Sequence, residues 1–148
     1  ELTVDSVSSE ILCLQTEAAL FHCEQTIEKL VPFTSWNNPE GAELSNTRIE
    51  SAFLVAALGN PSRFQADVLN LGIRVSGSRF FKDHYRLRPQ EWQDCVHHAR
   101  ESGAEAIIMS EKDAVKVSEP PDFPLLVSVQ TTRFINEDAF IEILRRCT

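Results

Sequence analysis

Phe53-Leu54-Val55-Ala56-Ala57-Leu58-Gly59-Asn60-Pro61 is the stretch that decides the fold. A continuous apolar run without polar alternation suits a strand buried on both faces, the usual state of a parallel strand covered by helices. Gly59-Asn60-Pro61 then stops the strand and starts a helix. Gly59 permits a tight turn, Asn60 can cap the helix, and Pro61 suits its first position because an N–H there would have no partner. Phe64, Val68 and Leu71 follow at helical spacing, and Gly72 ends the helix.

The same alternation continues downstream. Ile73-Arg74-Val75 reads as a strand, and Ser78 to Phe81 either pairs nearby or extends the chain towards the next motif. Pro89 opens a second helix with Trp92, Cys95, Val96 and Ala99 on one face and Gly103 past its end. Ala106-Ile107-Ile108-Met109 and Leu125-Leu126-Val127-Ser128-Val129 are further buried strands. A last helix begins near Asn136, with Glu137 and Asp138 in its first turn and Arg145 and Arg146 in its last, which complements the helix dipole at both ends. The order predicts an α/β fold: an open, mostly parallel sheet with helices on both faces, a Rossmann-like three-layer sandwich.

Upstream the texture changes. Val4, Val7, Ile11 and Leu14 predict a short amphipathic helix, Ala19 to Phe33 an extended segment, and Ser35 to Thr47, with its turn formers Asn37-Asn38-Pro39-Glu40-Gly41, a surface loop. The expected organisation is therefore a loosely structured connecting segment over 1–48 and an α/β lobe over 49–148.

The chain has 148 residues and is 43% hydrophobic, which suits one globular domain and excludes a disordered one. It contains no apolar run of about 18 residues and no opening signal peptide. The first residue is Glu1 rather than Met, so a piece of a longer protein is expected. With 14 Lys+Arg against 22 Asp+Glu, the net charge is −8. That balance excludes a nucleic-acid backbone as partner, since only Arg79, Lys82, Arg86 and Arg88 cluster, and it disfavours unaided adsorption to an anionic membrane. Cys13, Cys23, Cys95 and Cys147 form no CxxC pair and no metal-ligand spacing, and read as separate reduced thiols of a cytosolic protein.

Ligands of open α/β sheets bind beyond the carboxyl ends of the strands. Three polar segments follow predicted strands. In Gly59-Asn60-Pro61 the helix N-terminus could face an anion, although a plain strand-to-helix turn explains the same residues. In Phe81-Lys82-Asp83-His84-Tyr85, His84 titrates near neutrality and suits proton transfer or pairing with a carboxylate; a surface histidine is the plainer reading. Adjacent in sequence, Asp83 and His84 are not expected to share one site easily. In Ser110-Glu111-Lys112-Asp113, Ser110 or Lys112 could contact phosphate, or Ser110 and Asp113 could form a capping box on a short helix. His22 has no evident partner, and one of His97 and His98 is expected to face solvent. No GxxxxGK[ST], GxGxxG or GxSxG motif is present.

Taken in order, Ala56-Ala57-Leu58-Gly59-Asn60-Pro61-Ser62-Arg63-Phe64, Phe81-Lys82-Asp83-His84-Tyr85 and Ser110-Glu111-Lys112-Asp113-Ala114-Val115-Lys116 resemble the C-terminal half of the tetraacyldisaccharide 4′-kinase family, the lipid A 4′-kinases of Gram-negative bacteria. The family pattern there looks like A-F-x-G-I-G-N-P-x-x-F, F-x-D-H-H and T-E-K-D-A-V-K. Ala57-Leu58 stands where the family has Gly-Ile, Tyr85 replaces the second His, and Ser110 replaces Thr.

The resemblance implies a two-lobed kinase that transfers the ATP γ-phosphoryl group to the 4′-hydroxyl of a lipid A disaccharide 1-phosphate precursor. This chain would be its second lobe. ATP and Mg²⁺ would be held mainly by an N-terminal P-loop lobe, which would also associate with the cytoplasmic face of the inner membrane. His84 would act catalytically across the cleft, paired with an acidic residue of that lobe, and Asp83 would orient its loop. Gly59, Asn60, Pro61, Ser110, Glu111, Lys112 and Asp113 would shape the facing edge, with no metal site in this chain. Alone it would be inactive. The alternative is a non-catalytic α/β module that binds a nucleotide, an anion or a protein.

Overall fold

The computed structural model describes residues 19–38 and 46–146. The helix expected over Val4 to Leu14, the middle of the expected 35–47 loop, Cys13 and Cys147 lie outside them. The strands are β1 (Cys23–Pro32), β2 (Ser51–Ala56), β3 (Arg74–Phe80), β4 (Ala106–Ser110) and β5 (Leu125–Phe134). The helices are α1 (Phe33–Asn37), α2 (Pro61–Asn70), α3 (Pro89–Glu101), α4 (Glu111–Ala114) and α5 (Glu137–Arg146). One sheet runs in the order β1-β5-β4-β2-β3, and β3, β2, β4 and β5 are parallel neighbours. This is the predicted open α/β sheet.

The chain divides into two units, Thr26–Thr131 and a smaller one of Glu1–Gln25 with Thr132–Thr148. In the smaller unit Phe140 stacks on Phe134 with ring centroids 4.2 Å apart and meets Phe21 edge-on at 5.3 Å. The Ile135 N–H donates to the His22 carbonyl at 3.0 Å.

In the larger unit the period of two along each strand builds two apolar layers. Phe53 and Val55 of β2, Ile107 and Met109 of β4, and Leu125 and Val127 of β5 pack with Trp92, Cys95, Val96 and Ala99 of α3. The intervening Ala52, Leu54 and Ala56, Ala106 and Ile108, and Leu126 pack with Phe64 and Val68 of α2. Each central strand is buried on both faces, which is why its sequence shows no alternation.

The segment Ala19 to Phe33 is extended over β1 as expected, and this strand, with Ile27, Leu30 and Val31 buried, joins the sheet. Other elements differ from expectation. Ser35 to Asn37 is not loop but part of α1, because buried Phe33 anchors that turn and Trp36 packs against it at 6.1 Å between centroids. The two short pieces expected around Arg74 and Ser78 are one strand, and the last strand runs on to Phe134. Opposite β2, Val75 pairs with Ala52 and Gly77 with Phe53, so Ser76 is an extra, bulged residue. The Phe53 ring lies over Gly77, where a Cβ would come within 2.8 Å of it.

Candidate functional site at the carboxyl ends of the strands

Because β2, β3 and β4 are parallel, their carboxyl ends share one end of the sheet. From β2 the chain turns to β3 on one side; after α3 it resumes with β4 on the other side of β2. The direction of winding reverses between β2 and β4, the place where open sheets leave a crevice. All three polar segments emerge at this end.

Asp113 joins two of them. It is only 3% exposed. Its Oδ2 accepts the Ala57 N–H at 2.9 Å and the Ser110 hydroxyl at 3.0 Å, and its Oδ1 accepts Lys116 Nζ at 2.8 Å. The Ser110 hydroxyl in turn accepts the Asp113 N–H at 3.2 Å and so caps α4. The expected Ser110–Asp113 pairing is therefore present, with the carboxylate spent on the β2 exit.

A second bridge joins the remaining segment. Lys112 Nζ donates to Asp83 Oδ1 at 2.7 Å, and that oxygen also accepts the His84 N–H at 3.0 Å. The Lys112 hydrogen bond, first, holds the Asp83 carboxyl below its ordinary value despite partial burial. His84 follows with φ at 63°, and its Nε2 lies 3.8 Å from Asp83 Oδ2. Neighbouring side chains on extended backbone point apart; the left-handed turn at His84 brings these two together, contrary to expectation. The imidazole is 75% exposed, so it is available to a partner.

The other predicted residues have defined places. Asn60 accepts the Arg63 N–H at 3.1 Å and caps α2, which begins at Pro61. Gly59 has no positive φ, and a Cβ there would stand 3.8 Å from Asp83 Oδ2, so the turn does not depend on glycine's freedom. Glu111 is engaged elsewhere: its Oε1 accepts Trp36 Nε1 at 3.2 Å and its Oε2 the Gln130 N–H at 3.2 Å. His97 and His98 are both exposed, beside Glu101.

Sequence reasoning gave no role to Lys116 or to the grouping of Tyr85, Arg88 and Glu91. The spacing of Asp113 to Lys116 and of Arg88 to Glu91, each one helical turn, was the available signal. Glu91 accepts the Arg88 N–H at 2.8 Å, Arg88 Nη2 at 2.9 Å and the Tyr85 hydroxyl at 2.9 Å. The Arg88 guanidinium and N–H pull its carboxyl down to about 2. Among the described residues no group of three or more His, Cys, Asp or Glu side chains could hold a metal ion, and no helix is long and apolar enough to cross a membrane.

The family model described as tetraacyldisaccharide-1-P 4′-kinase matches residues 6–148. The chain belongs to this family. The tetraacyldisaccharide 4′-kinase of Desulfotalea psychrophila is 31% identical over 98 residues, which cover 66% of this chain and 28% of the relative. That of Halothermothrix orenii is 38% identical over 64 residues, 43% of this chain and 17% of the relative. A crystal structure of LpxK from Aquifex aeolicus in complex with ATP shares the fold, with a TM-score of 0.52 at 15% identity over 91% of this chain and 40% of that one. The matched region is thus a minor part of each of these tetraacyldisaccharide 4′-kinases.

Proposed function

We propose that this chain is the second lobe of a kinase that transfers the γ-phosphoryl group of ATP to the 4′-hydroxyl of a tetraacyl-disaccharide 1-phosphate, a lipid A precursor. Membership of the family supports the reaction. The observation that carries the site is the convergence of the three segments through Asp83–Lys112 and Asp113–Ala57, with exposed His84 beside them.

Phosphoryl transfer relies on positioning and charge stabilisation more than on covalent chemistry. The sequence contains no P-loop motif, and among the described residues no His, Cys, Asp or Glu cluster could hold a metal ion. On the family reading, ATP and Mg²⁺ would be held mainly by an upstream lobe, which would also carry any association with the cytoplasmic face of the inner membrane. His84 reaches from this lobe towards the attacking hydroxyl, to handle its proton or pair with an acidic residue across the cleft. Asp83 sets the turn that presents it, and Lys112 holds Asp83. Ser110 and Asp113 fix the edge that faces the other lobe.

The test is steady-state kinetics of His84→Ala in protein that includes the upstream lobe. The kcat is expected to fall by about 10²–10⁴-fold with little change in KM for ATP. The 148-residue chain alone is expected to transfer no phosphoryl group and to melt almost identically with and without the substitution. Near-normal kcat in the variant, or transfer by the chain alone, would remove the assignment.

A further inference from the structure

The turn that carries His84 is fastened on both sides, and one fastening is not used by the chemistry proposed above. His84 is the one non-glycine residue with positive φ among the described residues. Any side chain with a Cβ disfavours that conformation, so it persists only where the surroundings over-determine it. On the preceding side, Asp83 takes the His84 N–H and Lys112. On the following side stands Tyr85. Its ring stacks on Phe81, with centroids 5.3 Å apart and planes within 6°. Its N–H donates to the Lys82 carbonyl at 3.0 Å, closing the turn.

The Tyr85 hydroxyl reaches further, to Glu91 Oε1 at 2.9 Å. Glu91 is 9% exposed and sits in the first turn of α3, where Arg88 grips both of its oxygens. Helix α3 is seated in the core through Trp92 and Cys95, so Glu91 is a fixed post. The hydroxyl carries its donor beyond the ring, which lets Tyr85 stack and hydrogen-bond at once. The turn is thereby pinned to α4 through Lys112 and to α3 through Glu91, with His84 between the pins.

We propose that Tyr85 is a positioning residue for His84: bonded to Glu91 and stacked on Phe81, it holds the 82–85 turn in the left-handed form that presents the imidazole. The conformational claim stands on the geometry; its consequence for catalysis rests on the kinase reading.

The experiment compares the isotope-labelled chain with Tyr85→Phe, Glu91→Ala and Glu91→Gln by NMR, with thermal melting of each in parallel. A strong intraresidue amide–Hα cross-peak at His84 reports positive φ. Tyr85→Phe and Glu91→Ala are expected to weaken that cross-peak and shift the imidazole resonances in protein that remains folded. Glu91→Gln keeps a carbonyl acceptor and is expected to retain both signals. In the two-lobed protein, Tyr85→Phe is expected to lower kcat about tenfold at unchanged KM for ATP, the worth of one hydrogen bond that acts through position. An unchanged His84 cross-peak in Tyr85→Phe and Glu91→Ala overturns the proposal, as does loss of the signal only in step with global unfolding. If the unsubstituted two-lobed protein transfers no phosphoryl group to the disaccharide, the kinase reading fails and the NMR comparison still decides the anchoring.

Discussion

At the scale of single residues the site is a small set of charged groups under constraint. Asp113 serves a backbone N–H, a hydroxyl and an ammonium from a buried position. Asp113→Ala strands Lys116, itself only 15% exposed, and is expected to destabilise the chain by about 3 kcal/mol or more in urea unfolding. Asp113→Asn keeps acceptor oxygen and is expected to lose less. His84→Gly tests the strain from the opposite side. It relieves a left-handed conformation worth roughly 1–2 kcal/mol, against roughly 0.5–1 kcal/mol of glycine's extra chain entropy. A net gain of up to about 1.5 kcal/mol in urea is expected, together with loss of the proposed transfer. Glu91 supplies the pH dependence. Its folded value near 2 lies below its ordinary 4.5, so its contribution is complete above 4.5 and is lost as pH falls towards 2. Asp83, lowered by Lys112, acts in the same sense. The stability difference between the unsubstituted chain and Glu91→Gln is expected to be largest near neutrality and to shrink through that acid window.

At the scale of elements, β3 tolerates its place at the sheet's end by bulging at Ser76 and leaving room for Phe53 at Gly77. Phe53 is 4% exposed and cannot swing out. Gly77→Ala is expected to cost about 1–3 kcal/mol, read as a lowered melting temperature, because the new methyl overpacks a closed layer. Gly59→Ala makes the contrast. Its Cβ would meet only ordinary contact distance, and its backbone needs no positive φ. Gly59 lies in the turn after β2 beside Asp83, whereas Gly77 lies inside β3 under the Phe53 ring, and that ring decides which of the two cannot take a methyl.

For the whole molecule, α3 covers one face of the sheet, and Cys95 sits on its buried side at 0% exposure. Burial pushes that thiol up to about 11, so thiolate is scarce at neutral pH. A thiol-reactive probe followed by peptide mapping is expected to label exposed Cys23 readily and Cys95 only as urea opens the fold, in step with loss of circular dichroism. Fast labelling of Cys95 in native buffer would mean that α3 lifts from the sheet without global unfolding.

The sequence by itself determined the layers. Phe53 to Ala57 and Ala106 to Met109 are apolar without alternation because helices cover both faces, and the unbroken run is itself the mark of that double burial. The helix starts at Pro61 and Pro89 were equally plain, since capping is local chemistry. Strand β1 was weakly marked: its first four residues are exposed, and only Ile27, Leu30 and Val31 join the core. The strand order, and with it the switch point between β2 and β4, came only with the tertiary structure, because pairing is settled by contacts between residues distant in sequence. The same holds for the site. Local pattern marked His84, Asp83 and Ser110 to Asp113 one segment at a time. That Lys112 grips Asp83 across 29 positions and that Asp113 takes the Ala57 N–H across 56 follows from three parallel strands ending together, a relation that no window of sequence contains.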